Sequence, residues 1–210
     1  CGGEITPISN DFVYYYGKCV EIDDGDGNWR IKFLDSGDFI PKKDMNIDVF
    51  LVGGGGAGGG AKNGTGGGGG GGYTNTFKTI SLNSTVTYGI TIGQGGTNNA
   101  SGDGGRGGTS KFMISSDNIL SADGGYGGVY SNAASTNYLG AGGNGGNGGG
   151  GSYNSGGSYG NNGAGPSTGY NKAGVGQGTT TCEFGEGTLS GCTNGDEYAY
   201  AGGGSGAGGD

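Results

Sequence analysis

The chain reads as all-β with a glycine component of its own: an antiparallel β-sandwich of jelly-roll type carrying a packed bundle of polyglycine II helices, with essentially no α-helix. Three observations predict this. Short runs that alternate apolar and polar residues recur, with turn residues between them. No segment shows helical periodicity. Glycine supplies 62 of the 210 residues, against a usual share of roughly 7%, and much of it stands in unbroken runs.

Residues 1–22 read as an irregular lead-in with an aromatic cluster, Tyr14, Tyr15 and Tyr16. D-D-G-D-G-N at 23–28 is a turn by composition. W-R-I-K-F-L then alternates, with Trp29, Ile31 and Phe33 on one side and Arg30 and Lys32 on the other, as a half-buried strand does. Asp35 to Asp38 form a second turn. Pro41 is placed in a connection, where its missing N–H costs no ladder bond. M-N-I-D-V-F-L-V at 45–52 alternates again. Beyond the glycine run, 73–82 is Thr-rich and β-prone, and 85–92 sets Val86, Tyr88, Ile90 and Ile92 on one face. Residues 109–115 and 118–122 add two more strands. The predicted organisation is therefore a lead-in at 1–22 and one glycine-rich domain at 23–210. Its strands fall mainly in 29–52, 73–92 and 109–122, and its glycine helices mainly in 53–72 and 124–210.

The glycine runs need a physical account. Collagen fails, because there are 3 prolines and no sustained Gly-X-Y register. Ordering a residue costs roughly 1–2 kcal/mol, and these runs have little apolar side chain to bury. What remains is the main chain. An extended threefold glycine helix keeps every N–H, and without Cβ atoms such helices lie side by side and bond one another. At about 0.5–1.5 kcal/mol net per bond, a lattice holds only if nearly every backbone group is paired. A rule follows: buried helices are glycine at every inward position, and edge helices carry side chains on the exposed third. The seven glycines at 66–72 fit the lattice centre, and the G-G-N repeat at 142–147 fits an edge.

Composition also excludes functions. The formal net charge is -8, and there is no histidine. An acidic chain is a poor partner for nucleic acid. Ser-His-Asp and Cys-His catalysis lack their base, and a zinc site lacks its imidazole. G-x-G-x-x-G recurs without the strand-loop-helix context of a nucleotide site. Glu183 and Glu186 sit in a glycine-rich turn that offers no rigid pocket. Asp24, Asp26 and Asn28 have the spacing of a calcium loop's first ligands, but Trp29 stands where its glycine belongs, so a solvated turn is expected. No run of roughly 18 apolar residues is present to cross a membrane. No catalytic residue, cofactor or metal is expected.

Two sets of residues remain as candidates. Cys182 and Cys192 close a short loop and read as a disulfide; Cys1 with Cys19 is a weaker pairing, and four free thiols are the alternative. A disulfide implies an oxidising location. Tyr130, Tyr138, Tyr153, Tyr159 and Tyr170 interrupt the glycine pattern where chain reversals belong. Tyrosine offers large contact area at little entropy cost and suits glycans or protein surfaces. The alternative role is to plug gaps between lattice and sandwich.

The stretch D-G-D-G-N-W-R-I-K-F-L-D-S-G-D-F-I-P-K-K-D-M-N-I-D-V-F-L-V-G-G-G-G-A-G-G-G resembles the opening of glycine-rich domains in tail-associated proteins of phages and prophages of Gram-positive gut bacteria. G-G-G-G-G-G-Y-T-N-T, I-T-I-G-Q-G-G, G-G-T-S-K-F and G-Q-G-T-T-T-C-E-F-G-E continue the likeness over about residues 24–189. Two departures stand out. The sequence stops at G-A-G-G-D, short of the strand with which such domains usually finish, so a truncated chain is expected, and L-S-G-C-T-N-G-D-E-Y-A-Y is inserted. More distantly, the chain is similar to the polyglycine-helix adhesin of T-even-like long tail fibres. It is also similar to the glycine-rich extracellular domain of anaplastic lymphoma kinase-type receptors, which has a tumour-necrosis-factor-like sandwich. The resemblance implies a non-enzymatic adhesin, in a phage tail or secreted. Its implied partners are a bacterial cell-surface glycan or protein and other virion proteins, with a homo-oligomer left open. A structural virion or extracellular scaffold without a ligand, or a secreted or receptor-type ligand-binding module, are the other readings, since fold does not fix function.

Overall fold

The fold was obtained as a computed structural model, which describes residues 8–9, 12–25, 27–62, 66–131, 141–146, 149 and 177. Among these the chain is all-β, with ten strands and no helix: β1 (Ile8–Ser9), β2 (Val13–Tyr16), β3 (Cys19–Gly25), β4 (Asn28–Phe33), β5 (Gly37–Pro41), β6 (Met45–Val52), β7 (Thr74–Leu82), β8 (Tyr88–Thr91), β9 (Ser110–Met113) and β10 (Ile119–Ala122). They form an open six-stranded sheet in the order β1-β2-β5-β8-β9-β10 and two two-stranded sheets, β3-β4 and β6-β7. Pairing is antiparallel for β1–β2, β2–β5, β3–β4, β5–β8 and β8–β9. The chain divides into two compact units. One holds Cys1–Val49, Phe77–Ile92 and Lys111–Ser121; the other holds Phe50–Thr76, Gly93–Ser110 and Ala122–Asp210.

The core of the first unit follows from period-two alternation. Val13 and Tyr15 are buried while Tyr14 between them is 42% exposed. Their neighbours across the β2–β5 ladder are Pro41 and Phe39, both buried. Tyr88 and Ile90 on β8 and Phe112 on β9 continue the same buried face. Phe112 stacks on Tyr88, centroids 5.7 Å apart, and meets Phe39 edge-on at 6.4 Å. Such pairs add about 0.5–1.5 kcal/mol each beyond the area they bury. Tyr15 packs edge-on against Phe33 at 6.3 Å. Burial, reinforced by a hydrogen bond to Glu21 and its charge, pushes the Tyr15 phenol up to about 12.

Two local features of this unit are set by single residues. The β3–β4 hairpin slips register between Asp23 and Gly25. Gly25 and Gly27 hold φ of 79° and 78°, a left-handed region glycine enters without strain. Asp24 beside this turn accepts from Arg30 Nε at 2.7 Å, and that bond holds the Asp24 carboxyl below its ordinary value. In the β6–β7 sheet, Asn46 accepts from Ser81 Oγ at 2.8 Å and Asp48 accepts the Thr79 N–H at 2.8 Å. Asp44 accepts from both the N–H and the hydroxyl of Ser84. The progression 44–84, 46–81, 48–79 runs antiparallel. Thr79 has φ of 56°, uncommon for a β-branched residue, and the Asp48 bond pins it there.

The structure departs from the sequence reading at three places. The lead-in at 1–22 is not irregular, because β1, β2 and most of β3 lie in it. Tyr14, Tyr15 and Tyr16 are alike in sequence, so their alternation between the two faces of β2 has no hydropathy signature. Pro41 is not in a connection but ends β5 opposite Val13, at a strand terminus where the missing N–H is tolerated. Cys19 is a free thiol whose Sγ donates to Gly17 O at 3.2 Å, and Cys1 lies outside the described residues. The strands are more numerous than the sequence suggested and pair in three sheets; β8 and β9 are shorter than expected, while β6 keeps the expected bounds.

Candidate functional site

The second unit is organised by main-chain bonds at every third residue. From the segment 53–62, Gly53, Gly56 and Gly59 donate to the carbonyls of Tyr73, Gly70 and Gly67, while Gly54, Ala57 and Gly60 donate to those of Gly108, Gly105 and Gly102. The carbonyls of Gly54, Ala57 and Gly60 accept in turn from Gly125, Gly128 and Ser131. From 66–73, Gly67, Gly70 and Tyr73 donate to Val129, Tyr126 and Asp123. Gly143 and Gly146 donate to Gly68 and Gly71, and Tyr126 and Val129 to Asn144 and Ala141. Successive bonds from one segment thus recur three residues apart, and each neighbour is reached by its own third of the positions.

The same period sorts side chains. Residues 67–72, all glycine, are buried. A Cβ on Gly125, Gly128 or Gly107 would collide with the carbonyls of Gly70, Gly67 or Gly54. Outer segments carry side chains at every third place: Gln94, Thr97 and Ala100; Asp103, Arg106 and Thr109; Asp123, Tyr126 and Val129. All of these are exposed except half-buried Thr109. Asn144, in the 142–147 repeat, is exposed beside buried Gly145 and Gly146.

Two of these rows face each other and form the candidate site. Gly104 donates to Gly128 O and Gly107 to Gly125 O, so the segments run antiparallel and set Arg106 beside Tyr126 and Thr109 beside Asp123. The side chains meet accordingly. The Arg106 guanidinium lies over the Tyr126 ring, 4.4 Å from its centroid. Its Nε donates to Gly124 O at 3.1 Å and its Nη2 pairs with Asp123 Oδ2 at 3.3 Å. Asp123 Oδ1 accepts from Thr109 Oγ1 at 3.1 Å. Tyr73 lies close by: burial, with Tyr126 and Asp123 adding to it and Arg106 opposing, pushes its phenol up. Asp103 Oδ1 accepts the Tyr130 N–H at 2.7 Å.

The strip combines an exposed aromatic ring, a cation held in place by three contacts, a carboxylate and a hydroxyl on a main chain hydrogen-bonded at every third residue. It has recognition chemistry: stacking, a partly engaged guanidinium fork and short polar groups. The Arg106–Asp123 pair is exposed and worth only about 0–1 kcal/mol to folding. Of the tyrosines predicted from sequence, Tyr130 is half-buried beside this strip. Tyr138, Tyr153, Tyr159 and Tyr170, with Cys182, Cys192, Glu183, Glu186 and Asp26, lie outside the described residues. The strip residues Arg106, Asp123 and Tyr126 were not singled out as candidates from sequence. Their signal was present as D-G-G-R-G-G-T and D-G-G-Y-G-G-V, two copies of one three-residue spacing.

The family model of the glycine-rich domain matches residues 35–210. The chain belongs to this glycine-rich domain family. The match takes in β5 to β10 and the glycine segments, and leaves β1 to β4 ahead of it. No curated protein and no solved structure matches the chain.

Proposed function

We propose that this glycine-rich domain is a non-enzymatic recognition module of a phage tail or fibre, displayed on the virion and binding a bacterial surface glycan or protein. The observation that carries the reading is the strip itself. A main chain bonded at every third residue displays Asp103, Arg106 and half-buried Thr109 against exposed Asp123, Tyr126 and Val129. Substitution at those places changes the surface and leaves the main-chain to main-chain bonds of the array in place. The motif resemblance to tail-associated glycine-rich domains supports the setting. The period-three bonding supports polyglycine II helices as the conformation of the glycine segments. The single buried face of the six-stranded sheet supports a sandwich-type core.

The test is binding of the purified chain to candidate host cells. Arg106→Ala and Tyr126→Ala should each weaken binding about fivefold or more, the loss expected of a central contact worth over about 1 kcal/mol, with melting unchanged within roughly 2 °C. Unaltered binding by the double variant would remove the strip from recognition. A second reading, a scaffold without a ligand, is favoured by the glycine content of the buried segments, which fits a stiffening role. Assembly into fibres with no cell binding by the wild type would select it.

A further inference from the structure

The solvent face of β2 in the first unit carries an aromatic row that the strip does not use. Val13 and Tyr15 point inward, so Tyr14 and half-buried Tyr16 line the other face about 6.8 Å apart, and half-buried Phe12 stands just ahead of the strand. Half-buried Trp29 stacks on Phe12 with centroids 5.7 Å apart and planes 16° apart. Two lysines stand against these rings. Lys42 Nζ lies 4.6 Å from the Tyr14 centroid and Lys43 Nζ 5.5 Å from that of Phe12. Both lysines are exposed, as is Tyr14. Asp38, opposite Tyr16 in the β2–β5 ladder, ends the row with a carboxylate, so the face runs from cationic to anionic. Phe12, Tyr14, Tyr16 and Trp29 all precede the family match, which begins at residue 35.

We infer that this face binds an acidic polysaccharide whose pyranose rings carry carboxylates, a uronate polymer. The inference deepens the recognition reading by naming a ligand class on a surface separate from the strip. The reasoning is one of spacing. Each ammonium stands within one ring's breadth of an aromatic platform, so the ligand must offer its charge and its ring in the same unit. A uronate does so; a polymer of glycerol phosphate offers charge without a ring. Cation–π contacts are weak at exposed sites. A carboxylate forms a stronger charge-assisted bond to an ammonium and draws it off, baring the ring for the sugar face. The chain's net charge of -8 does not forbid this, because distant charges are screened beyond about 8 Å at physiological salt.

The experiment is calorimetric titration of the full chain with polygalacturonate, dextran and a glycerol phosphate polymer. Polygalacturonate should bind and weaken with added salt, and dextran should not bind. Lys42→Ala with Lys43→Ala should lower affinity at least tenfold, Lys42→Arg with Lys43→Arg should restore most of it, and Tyr14→Ala should cost at least threefold at unchanged melting temperature. Failure of polygalacturonate to bind, equal binding of dextran, or full affinity in the Lys-to-Ala variant would each overturn the inference. So would tighter binding of the glycerol phosphate polymer, which lacks a ring. Cell binding that persists in the lysine variant but is lost in the Arg106 and Tyr126 variants would sink this inference and leave the recognition reading standing.

Discussion

Replacing one glycine of the array by alanine should be either harmless or severe, and the structure says which. Gly128 is buried; its N–H donates to Ala57 O at 2.9 Å and its carbonyl accepts from Gly104 at 2.9 Å. A Cβ there would lie 2.5 Å from the Gly67 carbonyl carbon and 2.8 Å from Gly68 O. Those atoms belong to a segment bonded to others on either side, so they cannot yield cheaply. Overpacking of about 1–3 kcal/mol, with two weakened main-chain bonds at about 0.5–1.5 kcal/mol each, gives a loss of about 3–4 kcal/mol for Gly128→Ala. For a chain of this size that lowers Tm by roughly 10 °C. Gly58 is the control. It is exposed, and its Cβ would meet nothing nearer than Gly67 O at 3.6 Å. Gly58→Ala should be neutral or gain about 0.4–1 kcal/mol by stiffening the unfolded chain. Both variants are read by calorimetric melting of the full chain. Equal melting temperatures, or a larger loss at Gly58, would refute the close-packed array.

Other outcomes follow from the first unit. Thr79→Gly should raise Tm by a few degrees, because an L-residue in the left-handed region costs roughly 1–2 kcal/mol; a lowered Tm would show that Thr79 is not strained. Asp48→Ala should lower Tm, since it removes the acceptor of the Thr79 N–H. The Asp24 carboxyl is depressed by its bond to Arg30, so its contribution is present above the unfolded carboxyl range near pH 3.9 and lost as pH falls through the folded value. Asp24→Asn should therefore cost less than about 1 kcal/mol at pH 7 and nothing in strong acid. A deficit that persisted there would point away from the ion pair. The Tyr15 phenol is raised to about 12, so its contribution is complete below pH 10 and lost as pH climbs toward 12. Tyr15→Phe should flatten the alkaline loss of stability over that window in denaturant titrations.

Much of this was legible from residues alone. The alternation of Met45, Ile47, Val49 and Leu51 survives as the more buried side of β6. The unbroken glycines at 67–72 are buried and bonded, and Asn144 lies exposed, as main-chain saturation requires. What escaped the sequence has physical reasons. β2 hid because three successive tyrosines carry no hydropathy contrast. The pinning of Thr79 hid because Asp48 lies 31 residues away. Arg106, Asp123 and Tyr126 enter as candidates only because the paired segments 102–109 and 123–131 bring them together, which no single-segment pattern shows.

The amino-acid order alone decides which positions of a glycine segment can carry a side chain, because a threefold repeat with bare neighbours leaves one free place in three. It also decides that most of this chain must find stability in peptide groups rather than apolar area. Only the folded arrangement decides which segments adjoin. A glycine run presents the same N–H and C=O to every other, so nothing local distinguishes 102–109 from 66–73 as the neighbour of 123–131. Both are neighbours, but only the pairing with 102–109 puts Arg106 over Tyr126.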